Sequence, residues 1–489
     1  MRILIIANSQ KDWPFRIPDA DVIDAWSYLT RPEFSELRGV KVFNLCRSYR
    51  YQTVGYYVSL LAEARGHKPL PSITTLQDLR SQAMMRSVSE ELEDLIQHSL
   101  GPIQSERFTL SIYFGRNLAK RYERLSLHLF NLFQSPLLRV QFKRYKKWQI
   151  RSVATIAAND VPEGHWPFVV EVARQYFEGR RGVQKKRART RYDLAILHDP
   201  DDAEPPSGPE ALKRFIKAAE NLELRAELIT RDDYARIAEF DALFIRETTA
   251  VDHHTYRFAR RASGEGLIVI DDPESIVRCT NKVYLAELLS RHDIPIPKTV
   301  VLHRDNAVNV AAELGFPCVL KRPDSSFSRG VVKVSSESEL HEQLNILFET
   351  SDLVVAQEFV PTTFDWRIGI LNRKPLYACK YYMAEDHWQI VRQDVNGDGR
   401  YGKSETIPVE LAPRRAVGVA LKAANLIGDG LYGVDVKESN KKFYVIEVND
   451  NPNLDVGVED AILRDELYNR IMEVFLDRIE RSKAGIAVS

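Results

Sequence analysis

Between residues 192 and 279, short apolar runs alternate with helical patterns, and this alternation constrains the fold more than any other feature. The runs DLAIL, DALFI and LIVI begin at Asp193, Asp241 and Leu267, and a helical pattern covers residues 210–220. Strands that alternate with helices predict a parallel sheet with right-handed crossovers. The segment contains no GxGxxG motif, so nothing in it supports dinucleotide binding.

The first 177 residues are predicted to form a separate mixed α/β domain, because 489 residues are too many for one ordinary core. The apolar runs at residues 3–7 and 41–46 are typical of buried strands. Helical patterns such as residues 87–100 and 117–133 follow. We therefore expect the second half of this domain to be rich in helix.

A charged segment at residues 178–191 separates this domain from the rest of the chain. It is dense in Lys and Arg and poor in large apolar residues. Such a run can bind nucleic acid or acidic partners, but it is more often a solvated linker, and we expect the linker. Lys plus Arg and Asp plus Glu both number 68, so the overall charge gives no indication of a nucleic-acid partner.

The cysteines and the apolar segments favour a cytoplasmic location. Cys46, Cys279, Cys318 and Cys379 are far apart and form no CxxC pair, so we expect free thiols in a reducing compartment. The opening sequence MRILIIANSQ has only a short apolar run and lacks the features of a signal peptide. No apolar stretch reaches the roughly 18 residues that a membrane span needs.

Oxygen-donor side chains lie on two strand-like segments near the end of the chain, with a polar turn between them. If the turn is residues 440–442, Asp435 faces Glu447 across an antiparallel hairpin. Asn449 lies two residues after Glu447 and points to the same side. The three would then offer Mg²⁺ the hard oxygen ligands that it prefers. The alternative is a solvent-facing hairpin with ordinary polar alternation, and a one-residue slip in register would separate the three side chains.

A lysine followed by a small polar loop is a candidate phosphate site. Lys321 ends an apolar strand, and residues 325–330 read SSFSRG before the next strand. The amides and hydroxyls of such a loop can cover phosphates, while Lys321 places a charge against them. The alternative is an exposed hairpin loop, and the Walker A pattern is absent.

Two further strand-like segments carry polar side chains of interest. Residues 353–360 form an apolar run with one acid, Glu358. This run either presents backbone groups to a flat base or is an ordinary core strand. Asp365 and Arg367 lie on one side of the next strand. They either form a salt bridge with each other or leave Arg367 to support a phosphoryl group.

Taken in order, these segments resemble the ATP-grasp fold, and specifically its RimK-like branch. The order is a first lysine, Lys282, then a lysine with a lid, a QEF-type hinge, an acid before an arginine, and a D…ExN pattern. Residues 281–299 also resemble the family's helix and its GIPxPxT-like segment. Residues 42–71 and 111–126 resemble the amino-terminal domain attached to some RimK-like ATP-grasp proteins.

The resemblance implies an α/β and α+β multidomain chain, with an ATP-grasp fold, a preceding parallel α/β domain and an additional N-terminal α/β domain. The expected boundaries are 1–177 for the N-terminal domain, 178–191 for the basic linker, 192–279 for the pre-ATP-grasp domain, 280–360 for the ATP-grasp N-subdomain with its phosphate lid, and 361–489 for the C-subdomain with the metal site. Where RimK carries a basic segment, residues 388–403 are expected to form a mobile substrate loop rather than a calcium loop.

The function that the resemblance implies is an ATP-dependent carboxylate–amine ligase, which forms an amide or peptide bond through an acyl phosphate on amino acids or small peptides. Two alternatives are a ligase that adds amino acids to a protein tail and a non-catalytic ATP-binding regulatory protein. ATP and Mg²⁺, with Mn²⁺ as a substitute, are the expected cofactors. We expect small-molecule carboxylate and amine substrates, self-association into a homo-oligomer, and neither a membrane nor a nucleic-acid partner.

The resemblance also assigns roles to individual residues. The expected catalytic residues are Arg367, Lys321 and Lys380. The expected nucleotide-binding residues are Lys282, Lys321, Ser325, Ser326, Gly330, Gln357, Glu358, Phe359, Val360 and Asp365. The expected magnesium ligands are Asp435, Glu447 and Asn449.

Overall fold

The structure is a computed structural model in which the chain forms two compact units. It describes residues 2–484 except 19, 38, 82–84, 87, 90–91, 179–190, 305, 308–309, 325–329, 386 and 394–398. The N-terminal unit comprises Met1–Arg187 and Asp233–Ala235, and the C-terminal unit comprises Ala188–Asp232 and Arg236–Ser489.

A four-stranded parallel sheet begins the N-terminal unit. Its strands are β1 (Arg2–Ala7), β2 (Ala20–Asp24), β3 (Val40–Asn44) and β4 (Lys68–Leu70), in the order β2-β1-β3-β4. Its helices are α1 (Ala25–Thr30), α2 (Val54–Ala64) and α3 (Ile73–Asp78). Both strands predicted here, β1 and β3, are confirmed, and their apolar side chains are buried as a continuous run of that kind implies.

The second half of the N-terminal unit differs from the expectation of a helix-rich region. An antiparallel sheet of β5 (Arg107–Tyr113), β6 (Leu137–Arg144) and β7 (Trp148–Thr155) lies beside α4 (Glu93–Leu100), α5 (Glu123–Leu132) and α6 (Trp166–Glu178). Helices are present as expected, but the sheet was not predicted, although the apolar residues Leu138, Val140 and Phe142 alternate with a period of two and all three are buried. The helix expected at residues 117–133 begins only at Glu123.

The predicted parallel sheet is confirmed at the start of the C-terminal unit. Its strands are β8 (Tyr192–Leu197), β9 (Leu224–Ile229), β10 (Ala242–Ile245) and β11 (Ile268–Ile270), in the order β11-β10-β8-β9. The helices are α7 (Pro209–Asn221), α8 (His254–Gly264) and α9 (Pro273–Thr280). The edge strand β9 was not predicted, because only its two end residues are buried and its middle does not read as an apolar run.

Two antiparallel sheets form the rest of the C-terminal unit. The first contains β12 (Thr299–Leu302), β13 (Cys318–Lys321), β14 (Val331–Val334) and β15 (Val354–Glu358), with helices α10 (Lys282–Arg291), α11 (Val310–Leu314) and α12 (Glu337–Leu347). Along the chain, β18 (Val391–Gln393) and β19 (Gly399–Tyr401) come between strands of the second sheet and form a separate antiparallel pair. The second sheet contains β16 (Phe364–Leu371), β17 (Lys374–Tyr382), β20 (Ser404–Ile407), β21 (Leu431–Ser439) and β22 (Lys442–Asp450). Its order is β20-β17-β16-β21-β22.

The last two helices pack in different places. Helix α13 (Arg414–Ile427) packs on the second antiparallel sheet, whereas α14 (Asp465–Lys483) packs in a cluster that includes α7 and the parallel sheet. The buried residues Ala416, Ala420, Ala423 and Ala424 follow helical spacing on α13 and pack in one cluster with residues of β16, β21 and β22. Their small side chains allow a close approach that fixes the hairpin of β21 and β22. Among the described residues, no helix combines the length and the apolar character that crossing a membrane requires.

The turn of this hairpin offers a stability test. Asn440 and Lys441 have φ angles of 51° and 61°, the pattern of a type I′ turn. A left-handed conformation costs a residue with a side chain about 1–2 kcal/mol, and the entropic cost of glycine is about 0.5–1 kcal/mol. We therefore expect Lys441→Gly to raise the free energy of unfolding, measured by urea denaturation, by about 0.5–1 kcal/mol.

The matched control for this turn variant is Lys442→Gly. Lys442 is the first residue of β22 and is also exposed. Glycine in a strand loses more backbone entropy than lysine, so this variant should be less stable than the unmodified chain. A loss of stability in both variants would contradict the assignment of the turn.

Candidate active site

A cavity of about 980 Å³ lies within the C-terminal unit, and it contains most of the residues that the sequence predicted for a site. The predicted residues in its wall are Lys282, Lys321, Gln357, Glu358, Phe359, Val360, Asp365, Arg367, Asp435, Glu447 and Asn449. They come from five different strands, the start of α10 and the segment after β15. The volume is at the upper end of the range for ligand pockets, so the cavity has room for a nucleotide and a second ligand.

The hairpin of β21 and β22 brings the three predicted oxygen donors to one face. Asp435 pairs with Glu447 and Gly433 pairs with Asn449 across the two strands. The amide nitrogen of Asn449 donates to Oδ2 of Asp435 at 3.1 Å. Asp435 pairs with Glu447 as predicted, although the turn is one residue shorter than expected. The pairing is kept because the register of the two strands shifts between Asp435 and Val436.

Three ion pairs join the acids of the cavity to basic side chains. Arg367 donates from Nε and Nη2 to the two carboxylate oxygens of Asp435, the second at 2.9 Å. The Lys282 Nζ atom lies 2.9 Å from Oε1 of Glu447. The alternative of a salt bridge between Asp365 and Arg367 is wrong, because Asp365 accepts from Lys437 Nζ at 2.7 Å instead. Lys437 also lines the cavity and was not predicted.

Burial and neighbouring charges shift the pKa values of Asp435 and Glu447 in opposite directions. Burial raises the pKa of Asp435, and the charges of Glu447 and Asp365 act in the same direction, against the lowering effect of Arg367. Burial also opposes ionisation of Glu447, but Lys282 and Lys321 outweigh it and hold its pKa below the usual value. Neighbouring carboxylates that disfavour one another's charge are a setting in which a bound cation is favourable.

Lys321 lies at the end of β13, where it has lost most of its hydration. Its Nζ atom donates to Oε1 of Gln357 at 2.8 Å, and Gln357 in turn donates to Thr299 Oγ1 at 2.9 Å. Burial lowers the pKa of Lys321 to about 8, although the charge of Glu447 opposes this shift. The two hydrogen bonds hold the ammonium group in the cavity wall.

The family relationship follows from comparisons with known proteins. Residues 25–172 match the model of the RimK-like ATPgrasp N-terminal domain, and residues 279–465 match the model of the RimK-like ATP-grasp domain. The chain belongs to the RimK-like ATP-grasp family. The predicted family, with its additional N-terminal domain, is therefore confirmed.

Known relatives of this RimK-like chain are ligases. Over 194 residues it is 29% identical to alpha-aminoadipate–LysW ligase LysX of Saccharolobus solfataricus, a match covering 38% of this chain and 67% of the relative. Over 233 residues it is 26% identical to a probable alpha-L-glutamate ligase of Vibrio vulnificus, covering 47% of this chain and 74% of the relative. The expected enzyme class, an ATP-grasp carboxylate–amine ligase, is confirmed.

Among solved structures, D-alanine–D-alanine ligase from Bacillus anthracis complexed with ATP matches with a TM-score of 0.45 and 18% identity, covering 60% of this chain and 99% of that chain. The RimK domain ATP-grasp protein from Sphaerobacter thermophilus matches with a TM-score of 0.44 and 18% identity. That match covers 57% of this chain and 98% of the other.

The predicted adenine hinge of this RimK-like protein is the end of β15. The Glu358 backbone N–H donates to the carbonyl of Lys298 at 2.8 Å, and Phe359 and Val360 follow in the cavity wall. The Phe359 ring stands edge-on to Trp388 with 5.8 Å between centroids, and Lys333 lies 5.0 Å from its centre. These two rings make this edge of the cavity partly apolar.

Some predicted residues lie elsewhere. Lys380 does not line the cavity, and its Nζ atom lies 2.9 Å from Oε2 of Glu405, so the geometry gives its predicted role no support. Gly330 has a positive φ of 70°, and its carbonyl accepts from the Arg322 backbone N–H beside the cavity. Ser325 and Ser326 lie outside the described residues, as do residues 394–398 of the predicted substrate loop.

A buried arginine that the sequence analysis missed supports the loop after β22. Arg246 follows β10 directly and is fully buried. It donates to Oδ1 of Asn451 and to the carbonyls of Pro452 and Pro206, the last two at 2.7 and 2.6 Å. Its Nε atom donates to Ser207 Oγ at 3.0 Å. Its position immediately after an apolar strand was the available signal.

A buried acid in the same cavity was also missed. Glu459 accepts a short hydrogen bond from the hydroxyl of Tyr381, and both residues line the cavity. Burial raises the pKa of Glu459 to about 7. The Arg367 guanidinium lies 5.3 Å from the centre of the Tyr381 ring, so this acid is one side chain away from the arginine. No sequence pattern marked Glu459, because it lies in an irregular segment between β22 and α14.

Proposed function

We propose that this protein joins the carboxylate of an amino acid or small peptide to an amine in the cavity of the C-terminal unit, with ATP activating the carboxylate as an acyl phosphate. The observation that carries the proposal is that one cavity wall combines Lys282, Lys321 and Arg367 with the oxygen donors Asp435, Glu447 and Asn449. Cations beside acidic metal ligands match what phosphoryl transfer requires, which is mainly positioning and charge neutralisation.

Asp435, Glu447 and Asn449 fit a magnesium ion. All three offer oxygen atoms from one face of the hairpin. Burial, with a smaller contribution from Glu447 and Asp365, raises the pKa of Asp435, and a bound cation would favour its charged form. The ion would neutralise charge on the nucleotide phosphates. With the ion bound, Glu447 would contact the metal in place of Lys282, and Lys282 would be available to a phosphate oxygen.

The other residues hold the nucleotide and the reacting groups. Lys321, fixed by Gln357, places a charge against the phosphates, and the backbone of Glu358 and Val360 faces the adenine. Asp365 is a further nucleotide contact, held in place by Lys437. Arg367 is oriented by Asp435 through Nε and Nη2, and its remaining nitrogen can stabilise the transferred phosphoryl group.

The proposed reaction has two steps, phosphoryl transfer to the carboxylate and attack by the amine. A substrate carboxylate oxygen attacks the terminal phosphorus of ATP, the bond to the bridging oxygen breaks, and ADP leaves. The lone pair of a neutral amine then attacks the acyl carbon, and inorganic phosphate leaves with the carbon–oxygen bonding pair. The proton that the amine loses ends on the departing phosphate. Arg367 can stabilise the oxyanion of the tetrahedral intermediate. The irregular segment that contains Asn451 and Glu459 forms the side of the cavity where the second substrate can bind.

A panel of carboxylates and amines tests the proposal. Purified full-length protein is mixed with ATP, Mg²⁺ and single or paired amino acids, including glutamate and α-aminoadipate, and released phosphate is measured. Mass spectrometry then identifies a small amide or, with added protein acceptors, a tailed protein. Phosphate release that depends on both a carboxylate and an amine supports the proposal. ATP binding with no turnover across amino acids, dipeptides and protein acceptors would favour the regulatory alternative.

The pKa of Lys321 predicts a pH effect on nucleotide binding. Its ammonium group is charged below pH 8 and loses its proton as the pH rises through about 8, whereas bound phosphates favour the charged form. The affinity for Mg²⁺-ATP should therefore fall above this pH by up to about tenfold per pH unit, until the pKa of the complex is reached. Calorimetric titration at several pH values measures this fall.

The matched variant for this experiment is Lys321→Arg, because arginine keeps its charge throughout this pH range. Its affinity for Mg²⁺-ATP should change with pH much less than that of the unmodified chain between pH 8 and 9. Parallel pH profiles for the two proteins would show that a different group controls binding.

A further inference from the structure

Two histidines and a glutamate form a cluster that none of the predicted roles uses. Glu247 lies two residues after β10, and His253 and His254 are at the start of α8. One ring nitrogen of each histidine and one carboxylate oxygen of Glu247 all lie within 4.8 Å of one another. In the part of the chain that the structure describes, no other group of three His, Cys, Asp or Glu side chains is close enough to share a metal ion.

Glu247 has an unsatisfied oxygen that points to a missing ligand. The residue is only 2% exposed. Its Oε2 atom lies 2.5 Å from Nε2 of His254, whereas Oε1 is buried and has no hydrogen-bond partner among the described residues. Leaving a buried carboxylate oxygen without a partner is costly, and buried charges in proteins are normally paired or bound to metal.

The two histidine rings are oriented for a shared ligand. Their centroids are 4.0 Å apart. The Nδ1 atom of His253 lies 3.1 Å from the hydroxyl of Thr255, which is fully buried. This contact can keep the ring proton on Nδ1 and leave the lone pair of Nε2 for a metal, as second-shell hydrogen bonds do at known sites. His253 itself is exposed, so an ion can reach the cluster from solvent.

We propose that Glu247, His253 and His254 bind one divalent ion of the zinc class. Two imidazole nitrogens and one carboxylate oxygen suit Zn²⁺ and are a poor set for Mg²⁺, which prefers oxygen ligands alone. Bonds of about 2.0–2.1 Å in a tetrahedral site separate ligand atoms by about 3.4 Å. Binding would therefore lengthen the His254–Glu247 contact of 2.5 Å by roughly 1 Å and shorten the longest separation between the ligand atoms.

The ion would act on the wall of the cavity. The ligands lie at the two ends of the segment 247–254, and Thr248, Thr249, Ala250 and Asp252 from this segment line the cavity. The Thr249 hydroxyl donates to Oδ2 of Asp450 at 2.6 Å, next to the predicted magnesium ligand Asn449. Joining the two ends of the loop restricts its freedom, so the ion has a positioning role for the cavity. The proposal does not depend on the proposed ligase reaction.

Zinc titration of the full-length protein tests this site. The protein is stripped with a chelator, and Zn²⁺ is then titrated in competition with a chromophoric chelator, with Co²⁺ as a visible-absorption probe. We expect one tight ion per chain, and we expect His253→Ala and His254→Ala each to weaken binding by at least about 100-fold and to remove the Co²⁺ absorption band. Bound Zn²⁺ should also raise the unfolding temperature of the unmodified chain.

Two controls separate this site from other metal-binding groups. His341→Ala removes an exposed histidine of α12 and should leave zinc binding unchanged. Glu447→Ala removes a predicted magnesium ligand and should also leave it unchanged. The proposal is overturned if the His253→Ala and His254→Ala proteins, shown to be folded by circular dichroism, bind Zn²⁺ as tightly as the unmodified chain. It is equally overturned if only Glu447→Ala loses the tight ion.

Discussion

Replacing Glu447 with glutamine should reduce ATP-dependent phosphate release by about 100- to 1,000-fold without unfolding the chain. Glu447 is paired with Lys282 at 2.9 Å and faces Asp435 across the hairpin. Glutamine has nearly the same shape but no charge, so it weakens metal binding and no longer offsets the charges of Lys282 and Lys321. The loss should appear in kcat, measured with saturating ATP and increasing Mg²⁺.

A matched control for this variant lies on the same hairpin. Glu438 is exposed, is not among the residues that line the cavity, and accepts a long hydrogen bond of 3.4 Å from Trp366. Glu438→Gln should retain nearly full activity. If Glu447→Gln turned over ATP as fast as Glu438→Gln, the metal assignment of the hairpin would be wrong.

Removing the buried Arg246 should have the largest effect on stability. We expect Arg246→Met to lower the free energy of unfolding by about 3–5 kcal/mol. Methionine fills much of the volume but leaves the carbonyls of Pro206 and Pro452 and the side chain of Asn451 without their donor. The opposing charge for the nearby Asp455 and Asp271 is also lost. Urea denaturation followed by circular dichroism and fluorescence measures the change.

The control for this stability experiment is Arg225→Met. Arg225 pairs with Asp193 at 2.7 Å, but its side chain is 57% exposed. Exposed ion pairs contribute at most about 1 kcal/mol, so this variant should be close to the unmodified chain. Equal losses in the two variants would mean that the hydrogen bonds of Arg246 do not stabilise the loop after β22.

The hairpin of β21 and β22 shows what could be predicted from the sequence and what could not. The sequence predicted that Asp435 faces Glu447, and this pairing is present, but the turn contains only Asn440 and Lys441. With that shorter turn and a regular ladder, Asp435 would face Ile446 instead. A register shift after Asp435 compensates for the missing turn residue. A bulge of this kind depends on packing across the sheet, which strand patterns do not contain.

Other differences have equally local causes. The strands β5, β6 and β7 alternate polar and apolar residues, and the helical patterns beside them hid that alternation. The position of Arg246 directly after an apolar strand was one signal of a buried charge, but the partners of Arg246 and Glu247, Asn451 and His254, are brought to them only by the fold. The order of motifs, by contrast, was sufficient to predict the family and eleven of the residues that line the cavity.

The three ion pairs of the cavity have a consequence for how it is filled. Lys282 with Glu447, Arg367 with Asp435, and Lys437 with Asp365 each cancel one positive and one negative charge. A nucleotide arriving alone would bring several unbalanced negative charges into a low-dielectric space, whereas a nucleotide with its divalent cations brings almost none. In the proposed site, Lys282 would pass from Glu447 to a phosphate oxygen, and Glu447 would pass to the metal. We therefore expect the cavity to bind the complex of a nucleotide with its divalent cations in preference to the nucleotide alone or the cations alone.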